Sequence, residues 1–445
     1  VIFLVSKRFV RSLDHTLLLS AAALICFSLI TIGSATLEFT DESFSRLKDL
    51  FFMVKLLHLD YTYVIRQVIW ILAGLLLMAL IMYIPYEDIC KHARALYVFN
   101  LIMLVAVVFL GREALGAQRW ISIGPFTFQP SEFAKLIMII TLASFLSARE
   151  GRLDRFRDLL PCFAYVGVPT LLILMQPDLG TSMVFVAVMF GMLYLAGARP
   201  RLLLALIGSG LILMIGLFAL HTYLHKADVN LEKQLLALEQ QKKVAVSEKD
   251  RGELEKKYQQ VEKDYREVHR RHESFHRYTL KEYQMTRLTV FLDPQSDLLG
   301  AGYHIWQSLI AVGSGGFLGK GLLGGTQSHL TFLPIRHTDF IFSVVGEEFG
   351  FLGAGALLAL YLVFLYRGLK IASQARDLQG TLLAGGVVCM FAFHIFVNIG
   401  MTIGIMPVTG IPLPLFSYGG SNMVMNLAAL GLLLNVYMRR RKILF

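Results

Sequence analysis

About ten runs of predominantly apolar residues, each close to the length that crosses a hydrocarbon layer of roughly 30 Å, recur along almost the whole chain. They fall near 16–36, 67–85, 95–110, 133–147, 159–176, 181–198, 202–223, 339–366, 380–403 and 419–438. Hydrocarbon offers no partners for backbone N–H and C=O groups, so runs of this length must close their own hydrogen bonds as helices. The expected fold class is an all-α integral membrane protein of about ten transmembrane helices, with a large extracytoplasmic loop containing a helical hairpin. Several runs are short and interrupted by Gly or Pro, so those must lie in thinned bilayer or against protein. With 56% hydrophobic and only 17% charged residues, the composition excludes an ordinary soluble domain.

Orientation follows from the basic residues of the short loops, because Lys and Arg are retained on the cytoplasmic side. Lys7, Arg8 and Arg11 start inside, and alternate loops then place Lys91 with Arg94, the Arg149 to Arg157 group, Arg199 with Arg201, Arg367 with Lys370, and Arg439 to Lys442 on the same face. One topology satisfies all of them, with both termini cytoplasmic. The net charge of +10 is therefore a topology signal, and no nucleic-acid partner is expected. Cys26, Cys90, Cys162 and Cys389 lie in or beside apolar runs without metal-like spacing and read as small core residues. The first run is longer than a signal h-region and reads as a retained anchor.

The chain divides into spans one to seven (1–223), a charged helical hairpin insertion (224–285), a Gly-rich extracytoplasmic loop (286–338), and spans eight to ten with a basic tail (339–445). In the insertion, Leu254, Tyr258, Val261, Tyr265, Val268, His272 and Phe275 alternate steps of four and three, the spacing of a coiled-coil seam. Leu231, Leu235 and Leu238 form a second stripe out of phase with the first, which predicts a break near Ser247–Gly252 and an antiparallel hairpin. His269, His272 and His276 have no carboxylate or Cys companion in register and do not read as a metal site. Within 37–66, Phe44, Leu47, Leu50, Phe51, Val54 and Leu57 predict an interfacial amphipathic helix. The glycines of 300–321 lack phosphate-loop spacing and suit close backbone packing or a ligand headgroup.

Ionisable groups at membrane depth are expensive and demand partners or a purpose. Glu132 and Lys135 share a face at the start of span four, where they can pair; Asp178 opens span six and Asp339 span eight, where each can cap a helix. The topology puts these groups, with Arg119, Trp120 and Ser417, at the outer leaflet, and independent caps have no reason to share one side. On span eight Asp339, Ser343, Gly346 and Gly350 fall on one face, so a neighbouring helix can approach beneath the Asp. Glu347 lies about 80° away and is the deeper cavity candidate, whereas Glu348, on the opposite face, is expected to pair with another helix. Such a cavity suits an amphiphilic substrate with an anionic headgroup, for transport or for catalysis.

The wording of these stretches resembles the SEDS family (shape, elongation, division and sporulation). The matching residues are Gly116-Ala-Gln-Arg-Trp120, Phe128-Gln-Pro-Ser-Glu-Phe-Ala-Lys135, Gln176-Pro-Asp-Leu-Gly-Thr-Ser182, Asp293-Pro-Gln-Ser-Asp297, Gly300-Ala-Gly-Tyr-His304, Phe332-Leu-Pro-Ile-Arg-His-Thr-Asp339-Phe-Ile-Phe342 and Pro412-Leu-Pro-Leu-Phe-Ser-Tyr-Gly-Gly-Ser421. They keep order and spacing along nearly the whole chain outside the hairpin, and read more like the elongation branch than the division branch. Three departures stand out: Ile335 where relatives carry Glu, Asn422 after the final motif where a small residue is common, and the hairpin itself.

The resemblance implies a peptidoglycan glycosyltransferase that polymerises lipid II for cell elongation and rod shape, with a class B penicillin-binding protein (transpeptidase) as partner and membrane lipids around it. It places the catalytic Asp on Asp339 and other sensitive positions on Lys135, Glu132 and Asp178. A sugar 4-hydroxyl must attack an anomeric carbon and displace a diphosphate, with inversion. A carboxylate base for that hydroxyl contributes about 10²- to 10⁴-fold. Charge on the leaving diphosphate must be absorbed by Lys135, Arg119 or Arg336, or by a divalent cation, Mg2+ or Mn2+; no organic cofactor is needed. Trp120, His337, Ser417 and Glu347 complete the set of substrate-contact candidates. A lipid-precursor flippase and a non-enzymatic scaffold of the wall-synthesis complex are the alternatives.

Overall fold

The computed structural model describes residues 13–440 apart from 38–58, 115–116, 124–125, 245–247, 279–281, 298–299, 330–332 and 334. Ten long helices coincide with the apolar runs: His15–Ala35, Tyr61–Tyr83, Ala93–Leu110, Pro130–Ser147, Phe156–Met175, Leu179–Leu195, Pro200–Val244, Ile341–Ser373, Leu378–Thr402 and Gly420–Met438. They are numbered as spans one to ten. Among the described residues eight are long and apolar enough to cross a membrane, and spans three and six are shorter apolar helices. The chain is an all-α, multi-pass membrane protein. Span two begins at Tyr61, six residues before the expected start, and the apolar residues of the expected amphipathic helix lie outside the described residues.

Two compact units emerge, one made of 1–200 with 293–445 and the other of 201–292. In the first, Asp side chains start the helices by accepting orphan backbone N–H groups: Asp14 from Leu17, Asp60 from Thr62, Asp178 from Thr181 and Asp377 from Gly380. Buried Asp14 also binds the Arg367 guanidinium, which ties the beginning of span one to the far part of span eight. Spans four, nine and ten are largely buried, whereas span two exposes Ile65, Ile69, Leu72, Leu76 and Leu80. Exposed leucines on a membrane helix face lipid, so the inner helices carry the polar groups. Spans two and ten approach closely because a Cβ at Gly431 would stand 2.9 Å from the Met78 carbonyl oxygen.

Span eight is not the uniform helix its hydropathy predicts. Gly350 adopts φ 62, ψ −158, a region essentially restricted to glycine, and breaks the helical ladder. The hydrogen bonds lost there are exchanged one for one with the Gly-rich loop. Lys320 and Gly321 donate to the carbonyls of Glu347 and Glu348 at 3.0 and 2.8 Å, while Phe351 and Leu352 donate to those of Gly316 and Phe317 at 2.9 and 3.1 Å. The face bearing Ser343 and Gly346 is covered by helix Ala301–Ser314, through the contact of Ser308 Oγ with Ser343 Oγ at 2.6 Å and of Val312 with Gly346.

A small antiparallel sheet, not foreseen from the sequence, joins spans three and four in the order β1 (Arg112–Ala114), β2 (Ala117–Ile123), β3 (Phe126–Phe128). Trp120 pairs with Arg112 and Ile121 with Phe128, so Arg119 and Trp120 sit on the central strand.

In the second unit, the seventh span does not stop at residue 223 but continues as one 45-residue helix to Val244. The return helix, Glu248–Tyr278, runs back beside it: Lys242 pairs with Glu255, Asp228 with His269 and His272, and Leu224 packs with Phe275 and Met285. The hairpin is therefore present. Its expected break is shifted, because Gly252 already lies inside the return helix.

At Gly350 an added Cβ would meet the Gly319 nitrogen at 2.2 Å, whereas Gly355, on the same span, has nothing within 4 Å. Gly350→Ala is therefore expected to destabilise the protein by about 2 kcal/mol or more and Gly355→Ala to leave it unchanged, as read by thermal unfolding in detergent.

Candidate active site

Asp339 stands on the turn that leads into span eight, half-buried, and the main chain around it is held from span nine and from the segment before span ten. The amide of Asn398, on span nine, donates to the Asp339 carbonyl at 2.9 Å and to the Ile411 carbonyl at 2.8 Å. Ser417 Oγ donates to the Thr338 carbonyl at 2.7 Å and accepts from Leu413 N at 2.8 Å. Tyr418 N donates to the His337 carbonyl at 3.0 Å. Gln67, fully buried on span two, reaches the carbonyl of Ser417 and the N–H of Gly419. The segment 404–419 thus fixes His337 and Thr338, span nine fixes Asp339, and at Gly410 (φ 74) a Cβ would lie 3.4 Å from Asp339 Oδ2.

Ile335, where the family resemblance leads one to expect Glu, has φ 53 and is exposed. A β-branched residue in the left-handed region is strained, and its carbonyl accepts from Thr338 N at 3.2 Å to close the turn.

A second group of charges is buried between spans four, six and nine. Lys135 Nζ lies 2.9 and 3.0 Å from the two Glu132 oxygens and 3.0 Å from His394 Nε2. An ammonium can only donate, so His394 accepts at Nε2 and uses Nδ1–H for the Met390 carbonyl at 2.7 Å, which makes it a neutral imidazole. Glu132 and Lys135 are 4% and 3% exposed, so removing either would strand the other's charge, at a cost of about 3 to 5 kcal/mol. Asp178 caps span six through Thr181 N at 3.1 Å and Thr181 Oγ1 at 2.9 Å, and reaches Ser131 Oγ at 3.4 Å. The ion pair and the cap foreseen as local explanations are both present. They are also linked, because Ser131 precedes Glu132 on span four.

The two groups meet through span nine. His394 and Asn398 are one helical turn apart on one face, the first touching Lys135 and the second holding Asp339. Span six closes the other side, where Gly180 packs against Thr409 and Ile411 of the same loop.

The remaining predicted residues are placed as follows. His337 stacks obliquely between Tyr63 and Tyr418, with ring centroids at 5.5 and 5.6 Å, and burial together with neighbouring Arg336 holds its pKa below the ordinary value. It is consequently a neutral group at pH 7. Arg336 is buried and donates from Nε to the Ala35 carbonyl at the end of span one. Trp120 is half-buried on β2. Ser417 is fully buried, and its hydroxyl binds the Thr338 carbonyl and the Leu413 N–H. Glu347 does not line the Asp339 turn: fully buried, its carboxylate accepts from Lys320 Nζ at 2.7 Å, Gln327 N at 2.9 Å and Ser328 N at 3.1 Å. Glu348 pairs with span one, accepting from Ser34 Oγ at 2.6 Å, and lies 2.8 Å from His329 Nε2.

Sequence reasoning missed His394, Asn398 and Gln67. Each is a polar residue inside an apolar run, which is itself a signal of function or of buried partners.

Comparison with known proteins places this geometry. A family model described as a cell cycle protein, FtsW/RodA/SpoVE, matches residues 17–245 and 273–442. The chain is similar to the peptidoglycan glycosyltransferase RodA of Treponema pallidum, 36% identical over 97% of this chain and 99% of that one. It is also similar to the peptidoglycan glycosyltransferase MrdB of Escherichia coli K12, 34% identical over 96% and 94%. Among solved structures it resembles a chain from a peptidoglycan synthase complex that coordinates polymerization and crosslinking, 30% identical over 96% and 98% with a TM-score of 0.66. It likewise resembles the rod shape determining protein RodA of Thermus thermophilus, 27% identical over 97% and 98% with a TM-score of 0.60. The chain belongs to the FtsW/RodA/SpoVE family, the SEDS proteins, is RodA-like within it, and is a glycosyltransferase.

Proposed function

We propose that the protein polymerises lipid II into peptidoglycan strands at the outer face of the plasma membrane, for cell elongation and rod shape, with Asp339 as general base. The observation that carries this reading is the immobilised turn. Asn398, Ser417 and Tyr418 take up the carbonyls of residues 337 to 339 in succession, so the Asp339 carboxylate is presented on a fixed main chain. A base that must meet a sugar hydroxyl within hydrogen-bond reach benefits from that fixity. In the reaction Asp339 takes the proton of the 4-hydroxyl as its oxygen bonds to the anomeric carbon of the second lipid-linked sugar. The bond from that carbon to the diphosphate breaks with inversion, and the polyprenyl diphosphate leaves as an anion.

Lys135 is paired with Glu132, and the cations we assign to the leaving charge are Lys135, Arg336 and Arg119. Neutral His337, between two tyrosines, suits a hydrogen bond to the substrate. Among the described residues no three His, Cys, Asp or Glu side chains are placed to hold a metal ion. Mg2+ usually binds through one or two carboxylates and substrate phosphates, a demand that Asp339 and a diphosphate fit; a bound Mg2+ or Mn2+ would supply charge neutralisation.

The outward placement of Asp339 and the cytoplasmic placement of both termini rest on the basic loops. The partner is a class B penicillin-binding transpeptidase, a reading supported by the likeness to a chain from a complex that couples polymerization to crosslinking.

Purified protein with its transpeptidase partner, given lipid II, should make glycan strands, and Asp339→Asn should slow this by about 10²- to 10⁴-fold with unchanged thermal stability. Headgroup translocation without polymer, or full activity in the variant, would reject the proposal. Asn398→Leu, which abandons two buried carbonyls, should lower kcat by about 10-fold to 100-fold through a misplaced base with little change in KM; an equal loss in KM alone would mean that Asn398 serves binding.

A further inference from the structure

The return helix of the hairpin carries a charge pattern that neither its seam nor the Asp339 turn uses. Lys249, Lys256, Lys263, Arg270 and Arg277 follow one another at intervals of seven residues, all within Glu248–Tyr278. Seven residues at about 100° each return to within about 20° of the starting direction, so the five positions share one stripe that advances about 10.5 Å per step. The seam from Leu254 to Phe275 lies on the opposite side of the same helix and is half-buried or buried, whereas Lys256, Lys263 and Arg270 are exposed. The family model leaves 246–272 unmatched, so most of the stripe belongs to the part of this chain that its family does not share.

The hairpin leaves these bases unneutralised. Lys242 pairs with Glu255, Arg266 with Glu262 and Arg271 with Glu267, but among the described residues Lys256, Lys263 and Arg270 pair with no carboxylate. Of the acids near the stripe, Glu267 is engaged by Arg271, which leaves Glu253 at its edge. Successive charges about 10.5 Å apart stand further from one another than the Debye length of about 8 Å at physiological salt, so each is a separate point of attachment. We propose that Lys256, Lys263 and Arg270 form a docking ridge for an uncrosslinked glycan strand, held through the carboxylates of its peptide stems. The inference rests on the glycosyltransferase reading for the identity of the polymer and for the outward placement of the hairpin.

Three observations favour a linear anionic polymer over other partners. A bilayer surface can meet only the base of the ridge: Glu255 pairs with Lys242, about 19 residues and hence about 28 Å of helix beyond the apolar run, so the stripe climbs away from the lipid. A folded protein partner needs apolar or aromatic anchors, and the residues that flank the stripe, Gln259, Gln260 and Ser274, are exposed and polar. A row of lysines without such anchors binds by charge alone, which suits a flexible chain carrying an anion on each repeat. The strand that the proposed reaction makes is such a chain, with peptide carboxylates recurring along linked sugars.

The test measures binding of preformed, uncrosslinked glycan strands with intact peptide stems to the full-length protein in detergent. Lys256→Gln/Lys263→Gln should weaken binding by about 3-fold to 10-fold, with helicity unchanged. Lys226→Gln/Lys233→Gln removes the same charge from exposed positions on the outgoing helix and should bind as the parent does. Binding should vanish at about 1 M salt, where the Debye length is about 3 Å, and for strands whose stems have been removed. Equal weakening in the two double variants, undiminished binding of stem-free strands, or no strand binding by the parent would overturn the proposal. So would retention of the transpeptidase partner that Lys256→Gln/Lys263→Gln abolishes while strands bind parent and variant alike, since the ridge would then serve a protein. Preformed strands are used, so a chain that makes no polymer leaves the test intact, and normal synthesis without strand binding rejects the ridge alone.

Discussion

A membrane-embedded chain has no solvent in which to leave a backbone N–H or C=O, and this constraint governs how span eight can be built. The break at Gly350 releases the carbonyls of Glu347 and Glu348 and the N–H groups of Phe351 and Leu352, each a cost of several kcal/mol if unpaired. All four are taken up by residues 316 to 321. The Gly-rich loop is consequently part of the helix's hydrogen-bond ladder rather than a cover laid over it. The acids at the break extend the attachment, Glu347 gripping Lys320 and the Thr326–His329 turn, and Glu348 reaching His329 and Ser34. Two consecutive buried carboxylates, about 100° apart around one helix, bind the loop and span one to the same point. Span eight then rises from that anchor to the Asp339 turn.

The same reasoning explains why span nine carries polar side chains in an otherwise apolar run. The turn at 335–340 is not helical, so its carbonyls need donors from elsewhere, and Asn398, Ser417 and Tyr418 supply them. A single amide that bridges Asp339 and Ile411 couples the start of span eight to the loop before span ten. One turn away, His394 accepts from Lys135, whose charge Glu132 balances. Burying that pair is costly, and its removal in halves costlier. A geometry that keeps both charges, and joins them through a neutral imidazole to the helix holding Asp339, is what a site needing a fixed base would require.

Much of this was legible in the sequence because lipid imposes a strong and simple pattern. Each apolar run became a helix, and the residues at the starts of spans four, six and eight converged as the alternation of basic loops requires. What was not legible depended on irregular backbone. The sheet carrying Arg119 and Trp120 is too short for a periodic signal. The kink at Gly350 is hidden because a glycine within a span usually means close helix packing, as at Gly431. Helical angles placed Glu348 correctly toward another helix. They could not place Glu347, whose partner is a loop with no periodicity. Ser417 read as a candidate ligand contact because motif position cannot distinguish a side chain that meets substrate from one that holds the main chain beneath it.

The hairpin shows the opposite limit. Its seam predicted two antiparallel helices, yet hydropathy ended span seven at 223 where the helix continues to Val244. Hydropathy marks where lipid contact stops, not where hydrogen bonding does, and nothing between Leu224 and Asp228 breaks a helix. The continuity has a chemical consequence. A helix that passes without interruption from the apolar run into the charged insertion keeps the phase of its side chains, so His221, at the end of one, and Asp228, at the start of the other, remain on a common face. Had a loop intervened, no fixed relation between them and His272 could be maintained. The long helix thus gives the insertion a base with defined geometry, independent of the residues that perform glycosyl transfer.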